Sequence, residues 1–157
     1  THQKILGELY MSFRSYFSSH ASCDPFMAPF DIELIRQPLK QLREVTEDDK
    51  NVVQPDVMVL CDYQKDINEK DKYKGIPELV VEILSPSTRG KDRIKKLGLY
   101  MESGVSECWI ADPVNKSIMV YAFKDYELDA DAVYMSGQQA ASACFAGLQV
   151  AVDTLFA

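Results

Sequence analysis

The chain has 157 residues, enough for one complete hydrophobic core and too few for two, so a single domain over 1–157 is expected. With 46% hydrophobic and 26% charged residues it lies outside the compositions of disordered or fibrous chains. Its net charge of −7 argues against a protein that coats nucleic acid through many phosphate contacts. No apolar run approaches the roughly 20 residues of a membrane span, so no membrane partner and a cytoplasmic location are expected. Cys23, Cys61, Cys108 and Cys144 are widely separated and form no Cys-x-x-Cys pair, which supports neither a zinc site nor a disulfide framework. A reducing compartment is the simpler reading.

From His2 to about Ser19, Ile5, Leu6, Leu9, Tyr10, Phe13 and Phe17 recur at spacings of three and four, which predicts an opening helix with one buried stripe. Asp24-Pro25 reads as its break. Phe30 to Ile35 alternates apolar with acidic residues and predicts a strand, whereas Arg36 to Lys50 is polar enough for a hairpin excursion or loop. Val57–Cys61 and Leu79–Leu84 are short apolar runs behind prolines and read as buried strands. The charged stretch Asp62 to Gly75 between them reads as a surface connection. Ser85-Pro86-Ser87-Thr88 offers capping hydroxyls for a second helix, Thr88 to Ser103, that stops at Gly104. Strands are expected at 107–111, 117–123, 127–135 and 148–152, with turns at Asp112-Pro113-Val114-Asn115 and Ser136-Gly137.

Glu82 stands out, because Leu79-Val80-Val81-Glu82-Ile83-Leu84 sets one carboxylate among large apolar side chains. An isolated buried carboxylate costs several kcal/mol, roughly, so Glu82 must be paired, metal-bound, protonated or open to water. Asp56, at the start of the other buried strand, is the natural companion. Two carboxylates at the ends of neighbouring strands can converge on one hard divalent cation, Mg²⁺ or Mn²⁺. A structural ion pair is the plain alternative.

The order of the segments carries more. Gln54-Pro55-Asp56-Val57, then Pro77-Glu78-Leu79-Val80-Val81-Glu82-Ile83-Leu84-Ser85-Pro86-Ser87-Thr88, then Asp92 to Tyr100, then Gly104-Val105, Trp109 and Asp112-Pro113 resemble the bacterial family of predicted restriction endonucleases. That family is a branch of the PD-(D/E)XK nuclease superfamily, and the resemblance runs from about His2 to Tyr121. It implies an α/β restriction-endonuclease-like fold, with an opening helix, a central mixed sheet and a crossover helix. It also implies metal-dependent hydrolysis of DNA phosphodiester bonds. Asp56 matches the Asp of the Pro-Asp motif and Glu82 the acidic residue of the second motif, both as ligands of Mg²⁺ or Mn²⁺. The motif lysine should follow two residues after Glu82, where this chain has Leu84. The family's helix motif places a lysine at Lys96 instead.

Helical geometry is consistent with Lys96. At about 100° per residue, Ile94, Leu97, Met101 and Gly104 share one face, Lys96 flanks it, and Lys95 points to solvent. Asp92 and Tyr100, each four residues from Lys96, are candidates to hold its ammonium group. Arg89, Lys91 and Arg93 make the helix entrance basic and are candidate contacts for a DNA backbone, or simply a solvated face. His2 resembles a histidine often present at this point of the family and receives no catalytic role, while His20 reads as a helix-end or surface residue. Trp109 and Tyr121 read as sheet packing rather than base stacking. Two rivals remain: a catalytically inactive nuclease-fold module for DNA binding or protein association, and a metal-free hydrolase using the two carboxylates as acid and base. A homodimer would suit the cutting of both strands of a duplex.

Overall fold

The structure is a computed structural model that describes residues 1–38, 42–67, 72–86 and 90–157. Helix α1 (His2–Phe17) buries Ile5, Leu9, Phe13 and Phe17, the stripe expected from the spacing. Strands β1 (Cys23–Met27) and β2 (Asp31–Ile35) follow. After a 3₁₀ turn at Glu47–Asp49 come β3 (Lys50–Val53), β4 (Val57–Cys61), β5 (Lys72–Tyr73) and β6 (Leu79–Ile83). Helix α2 (Lys91–Ser103) precedes β7 (Glu107–Asp112), β8 (Ser117–Lys124), β9 (Glu127–Tyr134), β10 (Gln139–Ala141), β11 (Gln149–Ala151) and the short α3 (Val152–Leu155).

Six strands form the central sheet in the order β1-β4-β6-β7-β8-β9. All neighbours are antiparallel except β6 and β7, whose parallel pairing is closed by the crossover through α2. The sheet is mixed, as expected, and side chains alternate between its two faces. On one face Val57, Val59, Leu79, Val81, Trp109, Ile118 and Val120 pack with α1, α3 and the β10–β11 hairpin. Phe13 meets the fully buried Trp109 edge-on, with ring centroids 5.3 Å apart. On the other face Met58, Leu60, Val80, Leu84, Cys108 and Ile110 lie under α2 and a small sheet of order β3-β2-β5.

Several expectations are corrected. Asp24-Pro25 does not simply end the helix; it lies inside β1, an edge strand, where a residue that lacks a backbone N–H is tolerated. The predicted strand near Phe30–Ile35 forms, but in the small sheet, with β3 closing the hairpin that follows it. The charged connection Asp62–Gly75 contributes β5, anchored by the buried ring of Tyr73. Gly90, with φ of 83°, occupies the N-cap of α2 in place of a hydroxyl residue, and the predicted start at Thr88 lies outside the described residues. The buried face of α2 is Leu99, Tyr100 and Ser103; Ile94, assigned to the apolar stripe, is two-thirds exposed. The C-terminal strand is shorter than expected and runs into α3.

The cysteine reading is also overturned, since Cys23 and Cys61 form a disulfide. Antiparallel pairing of β1 with β4 sets them directly opposite each other, with Cα atoms 4.1 Å apart. A separation of 38 residues hides that register from the sequence. Cys108 and Cys144 are free thiols.

Candidate active site at the ends of two strands

Strand alternation explains how the two carboxylates meet. Asp56 shares the parity of Met58 and Leu60, and Glu82 that of Val80 and Leu84, so both project on the face covered by α2. Antiparallel pairing of Val57 with Val81 then places the start of β4 beside the end of β6. Asp56 Oδ2 accepts the N–H of Ile83 at 2.7 Å, which fixes the carboxylate across the two strands. Its Oδ1 lies 3.3 Å from His2 Nε2, at the start of α1.

Glu82 is only 7% exposed. Its Oε1 accepts the hydroxyl of Tyr100, and its Oε2 lies 3.4 Å from Lys96 Nζ, both from α2. Burial pushes the Glu82 carboxyl above its ordinary range. The Tyr100 hydrogen bond and the Lys96 charge pull it back, and the charge of Asp56 adds to the rise. Burial, then the neighbouring Glu82 charge, pushes the Tyr100 phenol well up, so it stays a hydrogen-bond donor at physiological pH. Lys96 and Tyr100 sit one helical turn apart and serve the two oxygens of one carboxylate.

Asp56, Glu82 and Lys96 border one cavity of about 150 Å³, together with His2, Gln54 and Arg93. Among the described residues no set of three His, Cys, Asp or Glu side chains is grouped to hold a metal ion. Two hard carboxylates facing a small polar cavity nevertheless suit a cation such as Mg²⁺, which ordinarily keeps several waters and takes only one or two protein carboxylates.

The other candidates fall as follows. Tyr100 does reach the site but donates to Glu82 rather than holding Lys96. Asp92 lines the cavity, and no side-chain hydrogen bond or ion pair joins it to Lys96 among the described residues. Arg93 borders the cavity, Lys91 and Lys95 are exposed, and Arg89 lies outside the described residues. His20 is exposed, stacks on Tyr16 and shares a hydrogen bond with the Tyr16 carbonyl, in keeping with its surface reading. Trp109 is core and Tyr121 is half-buried on the sheet. His2, given no catalytic role in the sequence reading, is at the site, where its Nε2 faces Asp56; the resemblance to a family histidine was its one signal.

A second buried glutamate escaped the sequence reading. Glu107 is 0% exposed and has the parity of Trp109, so it projects on the opposite face. Its Oε2 accepts Trp109 Nε1–H at 2.5 Å. Its Oε1 accepts the N–H groups of Ala143 and Cys144, the Ser142 hydroxyl and the Cys144 thiol, at 2.9 to 3.0 Å. It is a structural anchor for the 142–144 segment.

A model of the Uma2 family, described as putative restriction endonuclease, matches residues 1–153. Among solved structures, the crystal structure of a putative nuclease belonging to DUF820 from Anabaena variabilis superposes with a TM-score of 0.71 at 19% identity. The match covers 99% of this chain and 79% of that one, and establishes a shared fold. No curated protein matches the chain.

Proposed function

The chain belongs to the Uma2 family of putative restriction endonucleases, and we propose that it is a metal-dependent endonuclease hydrolysing DNA phosphodiester bonds at the Asp56–Glu82 cavity. The observation that carries the reading is the convergence of Asp56, Glu82 and Lys96 on one cavity, from two strands and the crossover helix. Asp56 and Glu82 would hold the cation, with Ile83 N–H and Tyr100 fixing how each carboxylate is presented. When bound, Mg²⁺ or Mn²⁺ polarises the phosphate and acidifies an attacking water. Lys96, 3.4 Å from Glu82 in this structure, supplies the positive charge that the motif lysine would carry at the position of Leu84. It stabilises the charge that develops on the phosphate. Arg93 at the rim and Lys91 beside it meet the DNA backbone locally, which reconciles DNA binding with the net charge of −7.

No helix among the described residues is long and apolar enough to cross a membrane. We place the protein's work in the cytoplasm with its DNA, where a reducing environment would work against the Cys23–Cys61 bond.

Plasmid nicking in Mn²⁺, compared between the wild type and Glu82→Ala, with calorimetric titration of the metal on both, tests the reading. Nicking and saturable metal binding by the wild type alone support it. Failure of the folded wild type to bind Mn²⁺ overturns it in favour of an inactive nuclease-fold module, and cleavage that survives in Glu82→Ala removes Glu82 from the chemistry.

A further inference from the structure

The two carboxylates of the cavity divide their oxygens in the same way. One oxygen of each is fixed to the scaffold: Asp56 Oδ2 accepts the Ile83 N–H at 2.7 Å, and Glu82 Oε1 accepts the Tyr100 hydroxyl. The other oxygen faces a nitrogen carried in by a helix. Lys96 Nζ of α2 lies 3.4 Å from Glu82 Oε2, and His2 Nε2 of α1 lies 3.3 Å from Asp56 Oδ1. Asp56, Glu82, Lys96 and His2 all border the same cavity.

The two kinds of partner differ in how far they can move. The Ile83 N–H belongs to the backbone of β6 and the Tyr100 ring is 0% exposed, so the oxygens they hold are committed. The Lys96 and His2 side chains are 38% and 45% exposed. An ammonium group on a long flexible stem, or an imidazole on the first turn of a helix, has solvent to swing into. The oxygens open to a cation are therefore the two that these movable groups face.

We propose that Lys96 and His2 compete with the cation for Glu82 Oε2 and Asp56 Oδ1, and that cation binding turns both side chains toward the phosphate. The proposal rests on the nuclease reading of the cavity and assigns His2 a role in it. An ammonium group in contact with one carboxylate oxygen repels a divalent cation brought to that oxygen, so the two cannot share it at close range. Drawn to a phosphate, Lys96 leaves Glu82 Oε2 open to a cation; displaced by a cation, it is open to a phosphate. Cation and DNA thereby favour each other's binding, a coupling that is reciprocal by thermodynamic necessity. Arg93 is the internal comparison. It carries the same charge as Lys96 and borders the same cavity, yet among the described residues no ion pair joins it to either carboxylate.

Mn²⁺ calorimetry on the wild type, Lys96→Met, His2→Ala and Arg93→Met tests the competition, at a mildly alkaline pH chosen to keep the raised Glu82 carboxyl ionised. Methionine keeps the stem of Lys96 and drops its charge, and circular dichroism checks that each variant folds. Lys96→Met should bind Mn²⁺ roughly fivefold or more tighter than the wild type, within the ordinary range of coupling between sites. His2→Ala should also bind more tightly, and Arg93→Met should change less than Lys96→Met. A Lys96→Met variant no tighter than the wild type, or an Arg93→Met variant that matches it, overturns the competition while the nuclease reading stands. A wild type that binds no Mn²⁺ overturns both. Weaker binding by His2→Ala makes His2 a ligand rather than a competitor and overturns its part. Fluorescence anisotropy of a labelled phosphorothioate duplex, with and without Mn²⁺, reads the coupling: the metal should tighten DNA binding more in the wild type than in Lys96→Met, and an equal effect overturns the transfer of Lys96 to the phosphate.

Discussion

Replacing Glu107 with glutamine removes one acceptor oxygen from a cluster in which all five partners donate. The carboxylate serves Trp109 Nε1–H on one oxygen and Ser142, Ala143 and the N–H and S–H of Cys144 on the other. Glutamine has a single oxygen, and its cheapest orientation turns that oxygen to the 142–144 segment. Its amide hydrogens then face the indole N–H, donor against donor, in a site that is 0% exposed. Leaving a buried donor unsatisfied costs about 1–3 kcal/mol, a large share of a domain stability of about 5–15 kcal/mol. Urea unfolding followed by the fluorescence of Trp109, the only tryptophan, measures the loss directly. Hydrogen exchange adds a second readout: the Ala143 and Cys144 amides should stay protected in Glu107→Gln and lose protection in Glu107→Ala. A glutamine variant within about 0.5 kcal/mol of the wild type, the usual range for a surface substitution, would refute the reasoning.

The opposite sign is expected at Glu82. Its carboxyl is raised by burial, so the ionised form costs stability that is absent below about pH 4, where the group is protonated in both folded and unfolded chains. That cost grows as pH rises through the raised folded value and then levels off. Glu82→Gln should therefore gain on the wild type between acid and neutral pH, by about 1.4 kcal/mol for every tenfold by which folding weakens the acid. A difference that is flat with pH, in paired chemical denaturations, would contradict it. Cys144 is pushed up by burial first and by donating its S–H to Glu107, so an aromatic disulfide reagent should label it slowly at neutral pH. Rapid stoichiometric labelling of the native protein would show that this hydrogen bond does not persist in solution.

Legibility in the sequence followed the range of the forces involved. Helix α1 and the strands β4, β6, β7, β8 and β9 were readable because each buries a local apolar pattern that one element displays by itself. Strand β1 hid behind Asp24-Pro25, and β5 inside a charged run, because a partner strand rather than their own residues makes them extended. The Cys23–Cys61 bond and the His2–Asp56 contact depend on a register and a helix position set by the whole fold. On α2 the periodicity was real but incomplete: Ile94, Leu97 and Met101 do form a stripe, yet the chain commits Leu99, Tyr100 and Ser103 to its own core.

The two buried glutamates show what separates a site from a scaffold. A charge in an apolar strand signals only that compensation must exist, and the same signal fits both residues. Glu107 has that compensation in full: five donors aim at its two oxygens and none of them borders the Asp56–Glu82 cavity. Glu82 has one hydroxyl and one ammonium group at 3.4 Å, opens onto a cavity with a second carboxylate, and is left with a raised pKa. Had the fold needed a carboxylate at position 82 for stability alone, donors like those around Glu107 would suffice to hold it ionised. Under the proposed reading, incomplete compensation beside Asp56 is the physical property of a group that a cation would complete, and it can be sought wherever a buried acid is otherwise ambiguous.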